Sequence, residues 1–475
     1  MERVLVIGHG MAGARLASEL SRRDPELSVT ILGEEPQEPY NRILLTDVLA
    51  GTTDESELGL TDERNAAEIR PGVRALRIDR ERATVSAGDG RTYDYDVLVL
   101  ATGSTPRLPP VKGLISDDGG LAPGIAVFHT LDDCRRILRL ARDCSRAVVL
   151  GGGLLGLETA RALALRGVEV EVLHAVDTVM ERHLDAEASS MLIGQLAGLG
   201  VAVRTGCAVT RTVGSGRLTG VQLDDGEVVP CDLLVVSCGA KPETAVAEAA
   251  GLPVGRGVLV DARMRTADPA VYAIGDCAER DGALHGLVAE AWEHARVAAD
   301  AIAGPLDEPP AVAPAATTRL KADGIELTVV GESNVPAGPA GEGPEVLTSV
   351  DRDGGVYRRV ALRDGRIVGA VLLGGVEAEA DRIVELFAAG SVVPAAERPA
   401  LVRPGAAEES GRAAGPDPDA TVCYCNNVPR KKILEAWSQG AVTVAAVARR
   451  TKASTGCGIC RSKVKALIES ASAEA

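Results

Sequence analysis

Two stretches of this chain carry the same three-part pattern, and together they constrain its fold more than any other feature. RVLVIGHGMAGARLASEL (Arg3–Leu20) and RAVVLGGGLLGLETARAL (Arg146–Leu163) each run from a β-rich apolar segment through a glycine turn into an apolar pattern at helical spacing. Each is followed by another strand pattern, LSVTILGEE ending near Glu34 and VEVEVLH ending at His174. Strand, helix and strand in that order make a βαβ unit with parallel strands. Two such units predict an α/β protein with two doubly wound, Rossmann-like nucleotide-binding folds. Only two copies occur and the sequence between them differs, so this is not a repeat array.

The glycine spacing assigns a ligand class. In Gly8-x-Gly10-x-x-Gly13 the first glycine permits the tight turn, the second lets a pyrophosphate approach the backbone, and the third lets helix and strand pack closely. Ala12 lies in the same turn. The phosphates belong on the helix N-terminus, where free amides and the helix dipole favour anions. Glu34, at the end of the next strand, is placed to accept hydrogen bonds from a ribose. Gly151-x-Gly153-x-x-Gly156, with Leu155 in its turn, repeats the geometry and predicts a second dinucleotide. The residue ending its following strand is His174. An acidic residue there would suit a ribose 2′-OH and an arginine a 2′-phosphate; histidine decides neither.

The rest of the chain bounds the setting. At 475 residues it exceeds a single core, so several domains are expected. An apolar share of 46% is ample for them, yet no run approaches the roughly 20 apolar residues of a membrane span. The N-terminus enters a strand directly, without the pattern of a secretory signal, so a cytoplasmic protein is expected. A net charge of −16 argues against general nucleic-acid binding. That charge is uneven. From Thr421 onward there are nine Lys or Arg and three Glu, giving +6, which leaves −22 for the remainder. The basic tail is either a solvated face or a docking face for an acidic partner. Hairpin turns are expected at Asp224–Asp225–Gly226 and at Asp364–Gly365. Residues 394–420, rich in Pro, Gly, Ala and charge, read as a flexible tether between body and tail.

Ten cysteines in such a chain do not suggest a disulfide framework. Cys134, Cys144, Cys207, Cys231, Cys238 and Cys277 are scattered and read as small core residues. Cys423, Cys425, Cys457 and Cys460 form a quartet, C-x-C, then 31 residues, then C-x-x-C. Four thiolates so spaced hold a metal or a cluster. Zinc is one occupant, although a C-x-C pair is unusual for it. Thr443 is a candidate N-cap for the helix VAAVARRT, and Trp437 reads as core.

Further motifs carry a family resemblance. VLVLATGSTPR (Val97–Arg107) and IGDCAE (Ile274–Glu279) resemble the two-dinucleotide flavoprotein reductases, whose ATG and GD motifs accompany FAD. The resemblance implies FAD contacts at Ala101, Thr102, Gly103, Gly275 and Asp276. PYNRILLTDVLAG (Pro39–Gly51) resembles the flavin-lining segment of the ferredoxin-reductase and nitrite-reductase branch, implying a contact from Arg42. Many relatives carry a lysine or serine after the LL pair, where this chain has Thr46 and Asp47. The second dinucleotide is by resemblance NADH or NADPH, with Glu158 near the nicotinamide. No cysteine precedes Cys134, so the CxxxxC dithiol route of disulfide reductases is absent. CYCNNV, KILEA and GAVTVAAVARRTKASTGCGIC resemble the bacterioferritin-associated-ferredoxin type of [2Fe-2S] domain, in which Gly456 and Gly458 would let the backbone fold around sulfur.

The implied layout is an FAD domain (1–118 and 243–310) with an inserted NAD(P)H domain (119–242), a small α/β domain of the kind that supports homodimers in related flavoproteins (313–395), a linker (396–420) and a helical [2Fe-2S] domain (421–475). This order resembles the N-terminal half of the NAD(P)H nitrite reductase large subunit. With no sirohaem domain after Ala475, it looks more like the electron-transfer subunit of an assimilatory nitrate reductase. Hydride taken from NAD(P)H would leave as single electrons for a redox partner, either a nitrate or nitrite reductase catalytic subunit or a one-electron carrier. Alternatives are a ferredoxin- or rubredoxin-type reductase, or the flavin and Fe–S subunit of an amino-acid or opine oxidase complex. No nucleic acid and no membrane is expected among its partners.

Overall fold

A computed structural model describes residues 2–60, 67–284, 286–305, 317–336, 343–375, 377–403, 418–423, 426, 428–455 and 460–474. Two five-stranded parallel sheets dominate it. The first runs, edge to edge, Val271–Ala273, Val97–Leu100, Arg3–Ile7, Ser28–Gly33 and Ala67–Pro71. The second runs Val201–Arg204, Glu169–Leu173, Arg146–Leu150, Leu233–Val236 and Ile125–Val127. Central strands covered on both faces need continuous apolar runs rather than alternation, and Val4, Leu5 and Val6 are each 1% exposed or less. The helix Met11–Arg23 and the helix Val288–Ala303 pack together against the first sheet.

The insertion is visible in the strand order. Val97–Leu100 and Val271–Ala273 are hydrogen-bonded neighbours, yet the whole second sheet lies between them in sequence. The two passages between the sheets, Ser104–Pro106 and Ala240–Pro242, pair antiparallel with each other. The first sheet starts centrally, at Arg3–Ile7, moves out to one side and returns on the other; the second does the same from Arg146–Leu150, once its edge strand Ile125–Val127 has been laid down. The crevice this creates opens above the C-terminal ends of Arg3–Ile7 and Val97–Leu100 in one, and of Arg146–Leu150 and Leu233–Val236 in the other.

The segment read as VAVRTGCAVTRTV divides. Val201–Arg204 joins the parallel sheet, and Val209–Val213 joins a three-stranded antiparallel layer with Gly220–Leu223 and Val228–Pro230. The expected turn there is closed by the Gly226 amide on the Leu223 carbonyl. The small domain is an antiparallel sheet, ordered Thr317–Arg319, Leu327–Gly331, Arg366–Leu373, Val356–Arg363 and Glu345–Asp351, with the helix Glu377–Ala388 on one face. Asp364 (φ 52°) and Gly365 (φ 73°) are both left-handed, as a two-residue hairpin turn matching strand twist requires.

The stretch expected to be linker differs at its start. Arg398–Leu401 forms a 3-10 turn, and Leu401 is buried against Ile383, Val384 and Val393. Two apolar residues there were too few to show periodicity, but they suffice to cap the end of a core. Residues 404–417 lie outside the described residues. Beyond them, Thr421–Cys423 and Val428–Pro429 pair, followed by helices Arg430–Ser438, Val444–Thr451 and Arg461–Glu474 around a core of Ile433, Val447, Val464 and Ile468. Thr443 caps the second of these, its Oγ1 accepting from the Ala446 amide at 3.1 Å. Trp437 packs at the edge of this core and donates to Ser472 Oγ. Most of the tether expected before this module lies outside the described residues, and the module's described residues contact the body. No helix among the described residues is long and apolar enough to cross a membrane.

Candidate functional site

At the first glycine turn, backbone collisions explain two of the three glycines. Gly8 has φ 113°, and a Cβ on it would lie 2.0 Å from the Ala101 carbonyl oxygen. A Cβ on Gly13 would lie 2.1 Å from the Gly8 carbonyl oxygen. Gly10 is different: a Cβ there meets nothing within 4 Å. Its space is reserved. Gly10 also caps the helix Met11–Arg23 without a side chain, and no acidic residue occupies the first helical turn. The free amides there fit a pyrophosphate.

These residues open into a cleft of about 960 Å³. Gly8, Gly10, Ala12, Glu34, Arg42, Ala101, Thr102, Gly103, Gly275 and Asp276 all line it, while Gly13 turns inward. Glu34 is largely exposed, 3.6 Å from Arg74. Its neighbour Glu35 is engaged, accepting from Tyr40 Oη at 2.6 Å and pairing with Arg42. Glu34 is thus the carboxylate more open to a ribose. Arg42 is not a solvated surface arginine: it is held by Glu35 and lies 5.7 Å from the Tyr40 ring centroid. Asp276 accepts from Ser104 Oγ at 2.9 Å, and the Thr102 hydroxyl donates to the Glu243 carbonyl at 2.6 Å. A reserved glycine, a helix start with no side-chain cap, an exposed carboxylate just past the next strand and a cleft of this size fit FAD.

The second turn repeats the arrangement. Gly151 (φ 120°) would bring a Cβ to 2.2 Å from the Ser237 carbonyl oxygen, and Gly156 to 2.0 Å from that of Gly151. Gly153 again meets nothing within 4 Å and caps the helix Leu154–Leu165. These glycines lie apart from the large cleft, but Leu155 and Glu158 of the following helix line it. The open space at Gly153 fits the pyrophosphate of a second dinucleotide. His174 lies behind this loop. Its Nδ1 accepts from the Gly152 amide at 3.0 Å and its Nε2 lies 3.4 Å from Glu181.

Glu158 is a buried carboxyl of the cleft. It is 4% exposed, and burial pushes its pKa up to about 7 despite the attraction of Lys321, whose backbone amide donates to it at 2.9 Å. Lys321 was missed from the sequence. It comes from the small domain, and its ammonium donates to the Ile43 carbonyl in the PYNRILLTD segment while lining the cleft. A lysine therefore does stand beside that segment, where Thr46 and Asp47 had suggested none. No local pattern marks it, since its partners lie 163 and 278 residues away.

Of the quartet, Cys425 and Cys457 lie outside the described residues, as do Gly456 and Gly458. Cys423 and Cys460 are buried in one core, at 0% and 3% exposure. Cys460 begins the helix Arg461–Glu474, its carbonyl accepting from Val464 at 2.8 Å. The Ser454 hydroxyl lies 3.6 Å from its sulfur. Two buried sulfurs in one core, one at a helix N-terminus, fit an anionic cluster. Cys460 also lines the large cleft. Among the scattered cysteines, Cys134, Cys207, Cys231 and Cys277 are buried. Burial pushes the Cys134 and Cys231 thiols up to about 12, which makes them inert. Cys144 and Cys238 are only half-buried, so the expected core role does not extend fully to them.

Two nucleotide folds, one inserted in the other and meeting at a shared cleft, define a class of two-dinucleotide oxidoreductase. Residues 2–301 match the family model described as pyridine nucleotide-disulphide oxidoreductase, and the chain belongs to that family. Residues 317–387 match the rubredoxin NAD+ reductase C-terminal domain, and 421–470 the BFD-like [2Fe-2S] binding domain. The chain is similar to nitrite reductase [NAD(P)H] of Bacillus subtilis (strain 168), 33% identical over 98% of this chain and 57% of that protein. It is also similar to the assimilatory nitrate reductase electron transfer subunit of the same organism, 30% identical over 98% of this chain and 59% of that protein. It therefore spans somewhat over half the length of these relatives. Among solved structures, the covalent putidaredoxin reductase–putidaredoxin complex matches with a TM-score of 0.74 and 28% identity, over 82% of this chain and 94% of that one. The chain is an oxidoreductase of the pyridine nucleotide-disulphide family that ends in a BFD-like [2Fe-2S] binding domain, and its sites fit FAD, a nicotinamide dinucleotide and a [2Fe-2S] cluster.

Proposed function

We propose that this chain takes hydride from NADH or NADPH and delivers it as single electrons, through its tail, to the catalytic subunit of an assimilatory nitrate or nitrite reductase. When bound, FAD accepts the hydride's two electrons together and the [2Fe-2S] cluster carries one at a time. NAD(P)H thereby becomes NAD(P)+, both electrons leave singly and a proton is released. This chain's own residues supply the positions. Glu158 and Leu155 stand where the nicotinamide approaches, Gly10, Glu34 and Asp276 hold FAD, and Cys423, Cys425, Cys457 and Cys460 hold the cluster. The observation that carries the reading is that Cys460 lines the same cleft as Gly10, Asp276 and Glu158. The likeness to the nitrate reductase electron transfer subunit supports the choice of acceptor. The reading requires the cytoplasm, where NAD(P)H is the reductant.

Low-temperature EPR before and after one equivalent of NADH tests it. A reduced [2Fe-2S] signal is expected. Flavin bleaching without that signal, in iron-replete protein, would defeat the internal path and leave zinc in the quartet as the better account. The match of 317–387 to a rubredoxin reductase domain favours a second reading, service to a soluble one-electron carrier. Co-purification with a molybdenum-containing subunit supports the first reading, and with a small ferredoxin the second.

A further inference from the structure

The basic tail raised the question of its acidic partner, and the structure places one beside it. Arg461 Nη2 lies 2.7 Å from Glu57 Oε2, and the Lys463 ammonium pairs with Asp381. Arg15 Nη1 donates to Asn426 Oδ1 at 3.3 Å, and Asn41 Nδ2 donates to the Thr455 carbonyl at 2.9 Å. Every tail residue in these contacts flanks a cysteine of the quartet. Asn426 follows Cys425, Thr455 precedes Cys457 by two positions, and Arg461 and Lys463 follow Cys460. The described residues that flank the quartet therefore face the body, with Val422 and Cys460 on the cleft itself. Other basic residues of the tail are used differently: Lys431 pairs with Asp419 just before the module, and Arg450 donates to the Gln439 carbonyl within it.

We propose that the rim formed by Arg15, Asn41, Glu57 and Asp381 is a charge-paired docking face for this chain's own tail, making the tail its resident one-electron acceptor. The inference rests on the relay above and deepens it. The pairs at the rim are partly exposed, with Arg461 and Glu57 side chains at 30% and 38%. Such pairs are weak and screened by salt. The seat is therefore releasable, which frees this face of the module for the next protein in the sequence of transfers. A soluble carrier directed to the same rim has to displace the tail first.

The test uses the full, cofactor-loaded chain, with Glu57→Lys and the double variant Glu57→Lys/Arg461→Glu. One readout is hydrogen exchange at Asn41–Leu45 and Thr421–Cys423; the other is rapid-mixing reduction of flavin and cluster by NADH. Glu57→Lys should speed exchange in both segments and slow cluster reduction about two- to fivefold, the range for an exposed pair. Flavin reduction should stay unchanged, and the charge-swapped double variant should restore both readouts. Raising ionic strength from about 0.01 M to about 1 M, across which the screening length falls from about 30 Å to about 3 Å, should act as Glu57→Lys does. Exchange and cluster reduction indifferent to both salt and Glu57→Lys would overturn the docking face while leaving the relay standing. Flavin reduction without cluster reduction in the unaltered protein would overturn the relay, and the docking proposal with it.

Discussion

Replacing Glu158 by glutamine removes a carboxyl that the fold makes costly to ionise. Burial raises its pKa from the ordinary 4.5 to about 7, more than Lys321 lowers it. The folded protein thus keeps a proton that the unfolded chain has released, and stability is lost as pH rises between those two values. A gap of about 2.5 units at about 1.36 kcal/mol per unit amounts to ~3 kcal/mol, fully lost above pH ~7. Glutamine still offers an oxygen to the Lys321 amide and has no proton to lose. Glu158→Gln should therefore match the parent near pH 4.5 and exceed it by up to ~3 kcal/mol at pH 8. In thermal unfolding this is a gain of several degrees. The assay is differential scanning calorimetry of both proteins, at matched cofactor content, from pH 5 to pH 8. Parallel pH profiles would refute the reasoning. They would mean that the Lys321 ammonium outweighs burial and that Glu158 ionises normally.

Two further predictions follow from the geometry. Gly10→Val and Gly153→Val should both fold, since neither new side chain meets protein atoms at its Cβ; the first should abolish flavin binding, and the second should keep flavin but lose its reduction by NADH, both read by absorbance. Arg358 is buried in the small domain, donates to the Leu373 carbonyl and lies 2.6 Å from Glu379, so Arg358→Ala should cost about 3–5 kcal/mol, measured as lost hydrogen-exchange protection in Val356–Arg363.

The two nucleotide folds were legible because part of the constraint on their glycines is local. A Cβ at Gly13 collides with the Gly8 carbonyl in the same turn, and one at Gly156 with that of Gly151, whereas Gly8 and Gly151 also meet the carbonyls of Ala101 and Ser237 on neighbouring strands. Only glycine meets it, so the pattern survives in the one-dimensional string. The cysteine quartet was legible for a related reason: four soft donors must converge on one site, and their short spacings within each pair follow from that. Continuous apolar strands and the Asp364–Gly365 turn were likewise written in residues adjacent to the structure they make.

Tertiary structure decided the rest. Whether Glu158 is charged depends on Lys321, 163 residues on, and on a burial that no local pattern announces. The lysine beside the flavin-lining segment comes from a different domain altogether. His174 stands one position past the strand Glu169–Leu173 that it was expected to end, and its ring is held at the Gly152 loop by a hydrogen bond that periodicity does not encode. The tail's basic character was plain from composition, whereas its acidic counterparts, Glu57 and Asp381, could be found only from the folded chain. A sequence records what each residue demands of its immediate backbone. Charge, burial and proximity across domains are properties of the packed whole, and in this protein they determine how the site is assembled.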